Sequence, residues 1–354
     1  MKAYYANKII KGNSILTNMY LLVEDNKIKG LTSKVKKGVL VIDYGEKIIA
    51  PGYIDVHSHG GLGYASGYGN FEELQKWIRF KLSHGVTGFL LTTPSIPLKK
   101  IKKAVYDVRD SLKEKYTNVL GMQLEGPFYN NSKKIGAQNP EHLKNNISSK
   151  MNNFIRKNED VIKYLSLDPA LEVAEEIISI CKNSNIKVAA GHSNILHTDF
   201  IDKNLEIDAV THTFNGMKGL HHRQPGLAYT SCMDEGIYSE IICDGLHISY
   251  SMLDLFFKLK GYTKTILITD SMSANGLSPG SNYKLGDIKV KVKQDGSVRK
   301  SDGGLAGSTL TMDRAVQNLV DKLSISPETA ISMASLNPAK LLGIDSEQGS
   351  LAEN

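Results

Sequence analysis

Apolar and polar residues alternate along this chain in two textures. From Met1 to about Ile49 the apolar runs are short, as in Tyr20 to Val23 and Val39 to Ile42, and are broken by turn chemistry at Asp25-Asn26 and Asp43-Tyr44-Gly45. That is the pattern of a small β element too short to stand alone. From Pro51 onward apolar runs alternate with stretches whose apolar residues recur at helical spacing, the signature of repeated β-α units on a parallel sheet. The predicted strands are Tyr53 to Val56, Gly88 to Thr92, Val119 to Leu124, Ile162 to Leu167, Ile186 to Ala190, Ala209 to Thr211, Ser239 to Cys243 and Thr265 to Thr269. Helices are predicted over Phe71 to His84, Ile101 to Lys115, Leu171 to Asn183 and Ser251 to Lys260. Eight such strands are what a closed α/β barrel, the (β/α)8 TIM barrel, requires.

Two segments interrupt the rhythm. Asn130 to Asp160 is polar and rich in Asn, Ser and Lys, so a long βα loop with its own helix is expected. Tyr283 to Val298 alternates around Asp295-Gly296, a hairpin signal inserted before the last helices. Near the end, Gln348-Gly349-Ser350 has the look of a further turn and strand. The expected division is therefore a small β domain at 1–49, joined by 345–354 and completed beyond Asn354, with a barrel over 50–344.

With 354 residues and 41% hydrophobic content, the chain can bury a large core. Its net charge of +6 comes from scattered lysines, not from a block of the kind that marks a nucleic-acid arm, which leaves a mild tilt towards small anionic substrates. Cys181, Cys232 and Cys243 have no paired spacing, so no disulfide is expected and a reducing compartment is. No stretch approaches the ~20 apolar residues of a membrane span, and residues 1–20 have no continuous apolar core. The expectation is a cytoplasmic protein without membrane or nucleic-acid partners.

Candidate chemistry gathers at the strand ends. His57 and His59 follow Ile54-Asp55-Val56 and share one face by strand parity, so both can ligate one metal. Glu125 closes the third strand ahead of Gly126-Pro127, and a carboxylate there suits a divalent ion and can bridge two. His192 and His212 take the same place on the fifth and sixth strands, and Asp270 on the eighth. A parallel barrel gathers these ends at one mouth. Beside a metal-bound water, Asp270 is a natural general base, and the plainer alternative is a helix N-cap. Arg223, in the loop after the sixth strand, has the geometry to grip phosphate or to make a surface salt bridge. His247, past the seventh strand, is placed to hydrogen-bond a substrate oxygen.

Taken in order, Pro51-Gly52-Tyr53-Ile54-Asp55-Val56-His57-Ser58-His59-Gly60, Leu124-Glu125-Gly126-Pro127-Phe128, Gly191-His192-Ser193, Thr211-His212-Thr213-Phe214-Asn215, His222-Arg223-Gln224-Pro225-Gly226, Asp244-Gly245-Leu246-His247, Thr269-Asp270-Ser271-Met272 and Leu305-Ala306-Gly307-Ser308 make a chain that resembles the N-acetylglucosamine-6-phosphate deacetylases of the amidohydrolase superfamily. The resemblance covers almost the whole length. It implies a (β/α)8 barrel with a small β-sandwich built from both chain ends, and a homodimer. It implies Glu125, His192 and His212 as metal ligands, with His57 and His59 the pair found in members that hold a second metal. Zinc or iron is expected, with manganese or cobalt as alternatives, at one or two ions per subunit. By the same match Asp270 is the acid/base and His247 polarises the acetyl carbonyl. Arg223, Asn215 and the Gly216 N–H contact the phosphate of a phosphorylated amino sugar, and Leu305 lines the acetyl pocket.

Some positions depart from the family. Gly216 stands where Ala is usual, Gln224 where Glu is, Ser271 where Ala is, and Gln138 where relatives carry a loop His that helps bind phosphate; Gln138 is expected as an uncharged substrate contact. The alternatives to N-acetylglucosamine 6-phosphate are N-acetylgalactosamine 6-phosphate as substrate and, in another class, a non-catalytic sugar-phosphate sensor.

Overall fold

The computed structural model describes the chain except for Asn13, Tyr116, Asn131, Ser132, Asn145, Asn146, Ile147, Ser281 and Asn354. Eight parallel strands, Tyr53–Ser58, Val86–Thr93, Val119–Glu125, Ile162–Leu167, Lys187–Ala190, Ala209–Val210, Tyr238–Ile242 and Thr265–Ile268, pair each with the next in chain order. The ring closes just beyond the ladders: Ser58 bridges Ser271, Asp270 N–H donates to His57 O at 2.9 Å and His59 N–H to Ser271 O at 2.7 Å. Strands covered on both faces carry apolar residues at consecutive positions, and Phe89 to Leu91 and Ile266 to Ile268 are accordingly buried throughout.

The helices follow the predicted stripes with shifted ends. Phe71–Ser83 opens on a capping box between Asn70 and Glu73 and buries Leu74, Trp77 and Ile78, satisfying the first free N–H groups of the helix. Leu98–Leu112 begins three residues earlier than the periodicity suggests, because Pro97 presents a preset φ of −54° at the N-cap. Ala174–Asn183 begins three residues later, since Asp168 Oδ1 accepts the Ala170 N–H at 2.9 Å and holds the intervening residues in a turn.

The long third loop carries a 3-10 turn, Pro140–His142, and a helix, Ser149–Arg156; its residues 131, 132 and 145–147 lie outside the described residues. The expected hairpin is a three-stranded meander, Asn282–Leu285, Ile288–Val292 and Val298–Arg299, with Asp295-Gly296 in its second turn. It packs Leu285, Val290 and Val298 against Met272 and Ala306, next to the eighth strand's exit.

The N-terminal strands, Lys2–Lys11, Ser14–Glu24, Lys27–Thr32, Leu40–Asp43 and Ile48–Ile49, form one separate sheet. Both chain ends meet there: Leu351 buries against Ala6, Ile9 and Leu21. Among the described residues the C-terminal segment contributes this side chain and no strand. No helix among them is long and apolar enough to cross a membrane.

Candidate metal centre and active site

Glu125 is the last residue of its strand, and His192, His212 and Asp270 each stand two residues past theirs. Those last three have positive φ, 46°, 27° and 47°. Non-glycine residues rarely adopt this left-handed backbone, and it tends to persist at functional sites. The turn it makes bends three strand exits inward.

Two triads of metal-ligating groups result, Glu125 with His192 and His212, and His57 with His59 and Asp270. Glu125 Oε1 lies 2.9 Å from His192 Nε2 and 3.0 Å from His212 Nε2, and those two nitrogens are 3.2 Å apart. In the second triad His57 Nε2 is 3.3 Å from His59 Nε2, and Asp270 Oδ1 is 3.2 Å from His59 Nε2 and 3.5 Å from His57 Nε2. Glu125 Oε2 reaches His59 Nε2 at 3.3 Å, so this one carboxylate faces both groups.

The donor set fits metal ions. His192 Nδ1 sits 3.0 Å from the carbonyl of Lys134, which can only accept, so this nitrogen carries the proton and Nε2 offers a lone pair. A bare nitrogen aimed at a carboxylate 2.9 Å away is repulsive until positive charge stands between them. Atoms bound to one ion at ~2.0–2.2 Å in a tetrahedral arrangement stand about 3.3–3.6 Å apart, a range the second triad's 3.2–3.5 Å spacings nearly match and the first triad's 2.9–3.2 Å would reach by opening slightly. Protonation follows the same logic. Burial opposes charge on His59, but hydrogen bonds to Asp270 and Glu125 outweigh it and raise its pKa to about 10. Burial likewise pushes the Asp270 carboxyl up, yet the His59 hydrogen bond and the charges on His57 and His59 hold it below its usual value. The cluster stabilises positive charge at its centre, as a metal or as protons.

A cavity of about 320 Å³ has His59, Glu125, His192, His212 and Asp270 in its lining. Larger cavities occur elsewhere, one of about 630 Å³ between the Leu98–Leu112 and Ser149–Arg156 helices, but among the described residues no metal-ligating group belongs to them. Chemistry, not size, marks the site. His247, Asn215, Gly216 and Leu305 also line it. His247 Nδ1 is 2.6 Å from Asp244 Oδ2, and Asp244 Oδ1 accepts the N–H groups of Leu246 and His247, both at 2.8 Å. Burial disfavours charge on His247, but Asp244's hydrogen bond and charge prevail, and its pKa is raised.

Two expected substrate contacts are placed differently. Gln138 lines the cavity but is 4% exposed: its Nε2 donates to Glu125 Oε2 and its Oε1 accepts the Ser95 N–H, both at 2.7 Å. Its amide is committed to the Glu125 carboxylate and the Ser95 main chain. Arg223 is exposed and outside the lining, since its loop turns back on His221, whose Nδ1 accepts the N–H groups of Arg223 and Gln224. At Gly216, φ +60°, a Cβ added to this backbone would stand 2.6 Å from His192 Nδ1.

Sequence reasoning missed the supporting charges. Asp55, two residues before His57 and fully buried, takes Lys81 Nζ and the Thr269 hydroxyl at 2.5 Å each, tying the first strand to the eighth at the site. Glu240, also fully buried, stands 3.1 Å from His57 Nδ1. A lone acid inside the apolar run Ser239-Glu240-Ile241-Ile242 was the available signal, as buried acids are rare unless paired.

Residues 48–354 match the model of the amidohydrolase family. The chain belongs to the amidohydrolase family. It is 32% identical to an N-acetylgalactosamine-6-phosphate deacetylase of Escherichia coli O157:H7, across 95% of this chain and 92% of that protein. It is also 32% identical to an N-acetylglucosamine-6-phosphate deacetylase of Vibrio furnissii, across 98% and 88%. Among solved structures, the N-acetylglucosamine-6-phosphate deacetylase of Thermotoga maritima superposes with a TM-score of 0.87 at 31% identity, covering all of this chain and 92% of that one. That of Pasteurella multocida gives 0.91 at 28%, covering all of this chain and 93% of that one. These relatives bear out the resemblance and the barrel fold read from the sequence. Amidohydrolases of this family are metal-dependent, and this chain has two groups of side chains that could hold a metal ion.

Proposed function

We propose that this chain hydrolyses the acetamide of N-acetyl-D-glucosamine 6-phosphate, releasing acetate and D-glucosamine 6-phosphate. The observation that carries the reading is Asp270 in the second triad, 3.2 Å from His59 Nε2 and in the same cavity as His247, in a chain similar to deacetylases over nearly its full length. Glu125, His192 and His212 would hold one divalent ion, and His57, His59 and Asp270 a second, with zinc or iron favoured for this donor set. A divalent ion there supplies Lewis acidity, polarising the carbonyl and acidifying water.

The protein's own groups do the rest. Asp270, kept ionised, takes a proton from the attacking water and returns it to the departing amine nitrogen. His247, kept protonated by Asp244, donates from Nε2 to the carbonyl oxygen as negative charge builds there. Leu305 shapes the wall for the acetyl methyl, and Asn215 with the Gly216 N–H receives the phosphate. Arg223 reaches that phosphate only if its loop moves or a second subunit brings its copy across, which accords with a homodimer. Three buried free cysteines favour a reducing, cytoplasmic setting.

A second reading keeps the chemistry and changes the sugar to N-acetylgalactosamine 6-phosphate, on the strength of the Escherichia coli relative's name. Acetate release by metal-analysed protein, offered both phosphorylated epimers and unphosphorylated N-acetylglucosamine in parallel, tests both. Turnover of the glucosamine compound, abolished by chelation and absent without the phosphate, is expected. Preference for the galactosamine epimer selects the second reading. No turnover of any of the three by metal-loaded protein overturns the assignment and leaves a binding role.

A further inference from the structure

The seventh barrel strand carries a carboxylate that belongs to neither ligand triad. Glu240 lies mid-strand with no solvent exposure, yet three donors converge on it. Its Oε1 accepts the Tyr164 hydroxyl at 2.7 Å. Its Oε2 accepts the His212 N–H at 3.2 Å and stands 3.1 Å from His57 Nδ1. An acid inside a barrel core is retained only where its charge is matched, and no Lys or Arg pairs with it among the described residues.

Resting on the metal-hydrolase reading above, we propose that Glu240 is a positioning residue that makes the His57, His59 and Asp270 triad competent for a second metal ion. The reasoning starts from the imidazole. A neutral histidine has one protonated nitrogen and one bare one, and only the bare one ligates a metal. Glu240 as a carboxylate can only accept, so it draws the proton of His57 to Nδ1. The Tyr164 hydroxyl and the His212 N–H donate to its two oxygens and fix the carboxylate against the His57 ring. His57 Nε2 is then left bare, and it is this atom that faces His59, Asp270 and Glu125 at 3.3, 3.5 and 3.7 Å. A metal-bound histidine backed by a carboxylate on its other nitrogen is a recurrent arrangement that fixes ring orientation and strengthens the ligand.

Charge points the same way. Glu125, Asp270 and Glu240 are all buried. One divalent ion leaves their combined charge negative in a water-poor interior, and a second reverses the sign, so Glu240 tilts the site towards double occupancy. The other triad has its own support, Lys134 O behind His192 and Gln138 behind Glu125, and does not depend on Glu240 for a tautomer.

The test is a metal titration that needs no substrate. Chelator-stripped wild type, Glu240→Gln and Tyr164→Phe are titrated with Zn²⁺ by calorimetry, and metal content is measured after gel filtration. Wild type should take two ions per subunit. Glu240→Gln should keep the tighter ion within about threefold and bind the second about 10–100-fold more weakly. Tyr164→Phe, which loosens the carboxylate without removing it, should weaken the second ion by a smaller factor; if the Gln variant does not fold, this split carries the test. Two ions of unchanged affinity in the variants, equal weakening of both ions, or a single ion in wild type overturns the proposal. Wild type that binds no metal refutes the metal-hydrolase reading itself, a result distinct from the others.

Discussion

Lys81→Met isolates the buried ion pair that joins the Phe71–Ser83 helix to Asp55 on the first barrel strand. Lys81 is 5% exposed and Asp55 not at all, with Nζ and Oδ2 2.5 Å apart. The ammonium also lies over the rings of Trp77 and Phe89, at 5.3 and 5.2 Å. Methionine keeps most of the apolar stem, so the substitution removes the charge with little change in volume. It leaves the Asp55 carboxylate with the Thr269 hydroxyl at 2.5 Å, the Thr269 N–H at 3.2 Å and the His57 N–H at 3.4 Å as donors. Orphaning one member of a buried pair costs about 3–5 kcal/mol, and these surviving donors place the expected loss near the lower end, about 3 kcal/mol. At ~2.1 cal/mol/K of unfolding entropy per residue, a chain of 354 residues would lose about 4 °C in Tm. Urea unfolding of the metal-stripped protein, followed by tryptophan fluorescence, measures the difference through the midpoint at constant m-value. The double variant Lys81→Met/Asp55→Asn removes the stranded charge and should recover about half of the loss. A loss below about 1 kcal/mol for Lys81→Met, or a double variant no more stable than the single, would refute the claim that Lys81 compensates the buried Asp55 carboxylate.

Asp270→Asn should lower kcat by about 10²–10⁴ while substrate still binds, read by steady-state kinetics beside calorimetric binding; an unchanged kcat would remove Asp270 from proton transfer. Because the pKa of His59 is raised to about 10 in the metal-free fold, that ring carries a proton at pH 7.5 that a metal must displace. Calorimetry in buffers of different ionisation enthalpy should show proton release, and affinity rising with pH towards 10; a pH-independent affinity contradicts this. The sign for stability is the reverse: the raised pKa stabilises the metal-free fold fully below the unfolded value near 6.5, and this contribution is lost as pH rises through about 10. Burial pushes the Cys181 and Cys232 thiols up to about 12 and 11, and Cys243 is fully buried. A thiol reagent at pH 8 should therefore label all three only after unfolding, and fast native labelling would show the barrel to be looser than described.

Much of this molecule is legible along the chain because its determinants are local. Strand alternation puts His57 and His59 on one face whatever lies around them, and apolar runs ending at Glu125, Ala190, Val210 and Ile268 mark the four exits from which the other candidate groups project. Other features depend on segments brought together from far apart. Barrel closure hydrogen-bonds Asp270 to His57 across 213 positions and builds the second triad in the same step. The family resemblance implies Gln138 as a substrate contact, but the fold of its loop turns it onto Glu125, and Arg223's exposure is likewise a property of the folded loop. Glu240 was visible only as an oddly placed acid, since its meaning lies in His57 and Tyr164 on two other strands. Periodicity and strand-end chemistry are carried by neighbours in sequence, whereas tautomers, charge balance and hydrogen-bond partners depend on distances of about 3 Å that only the closed barrel sets.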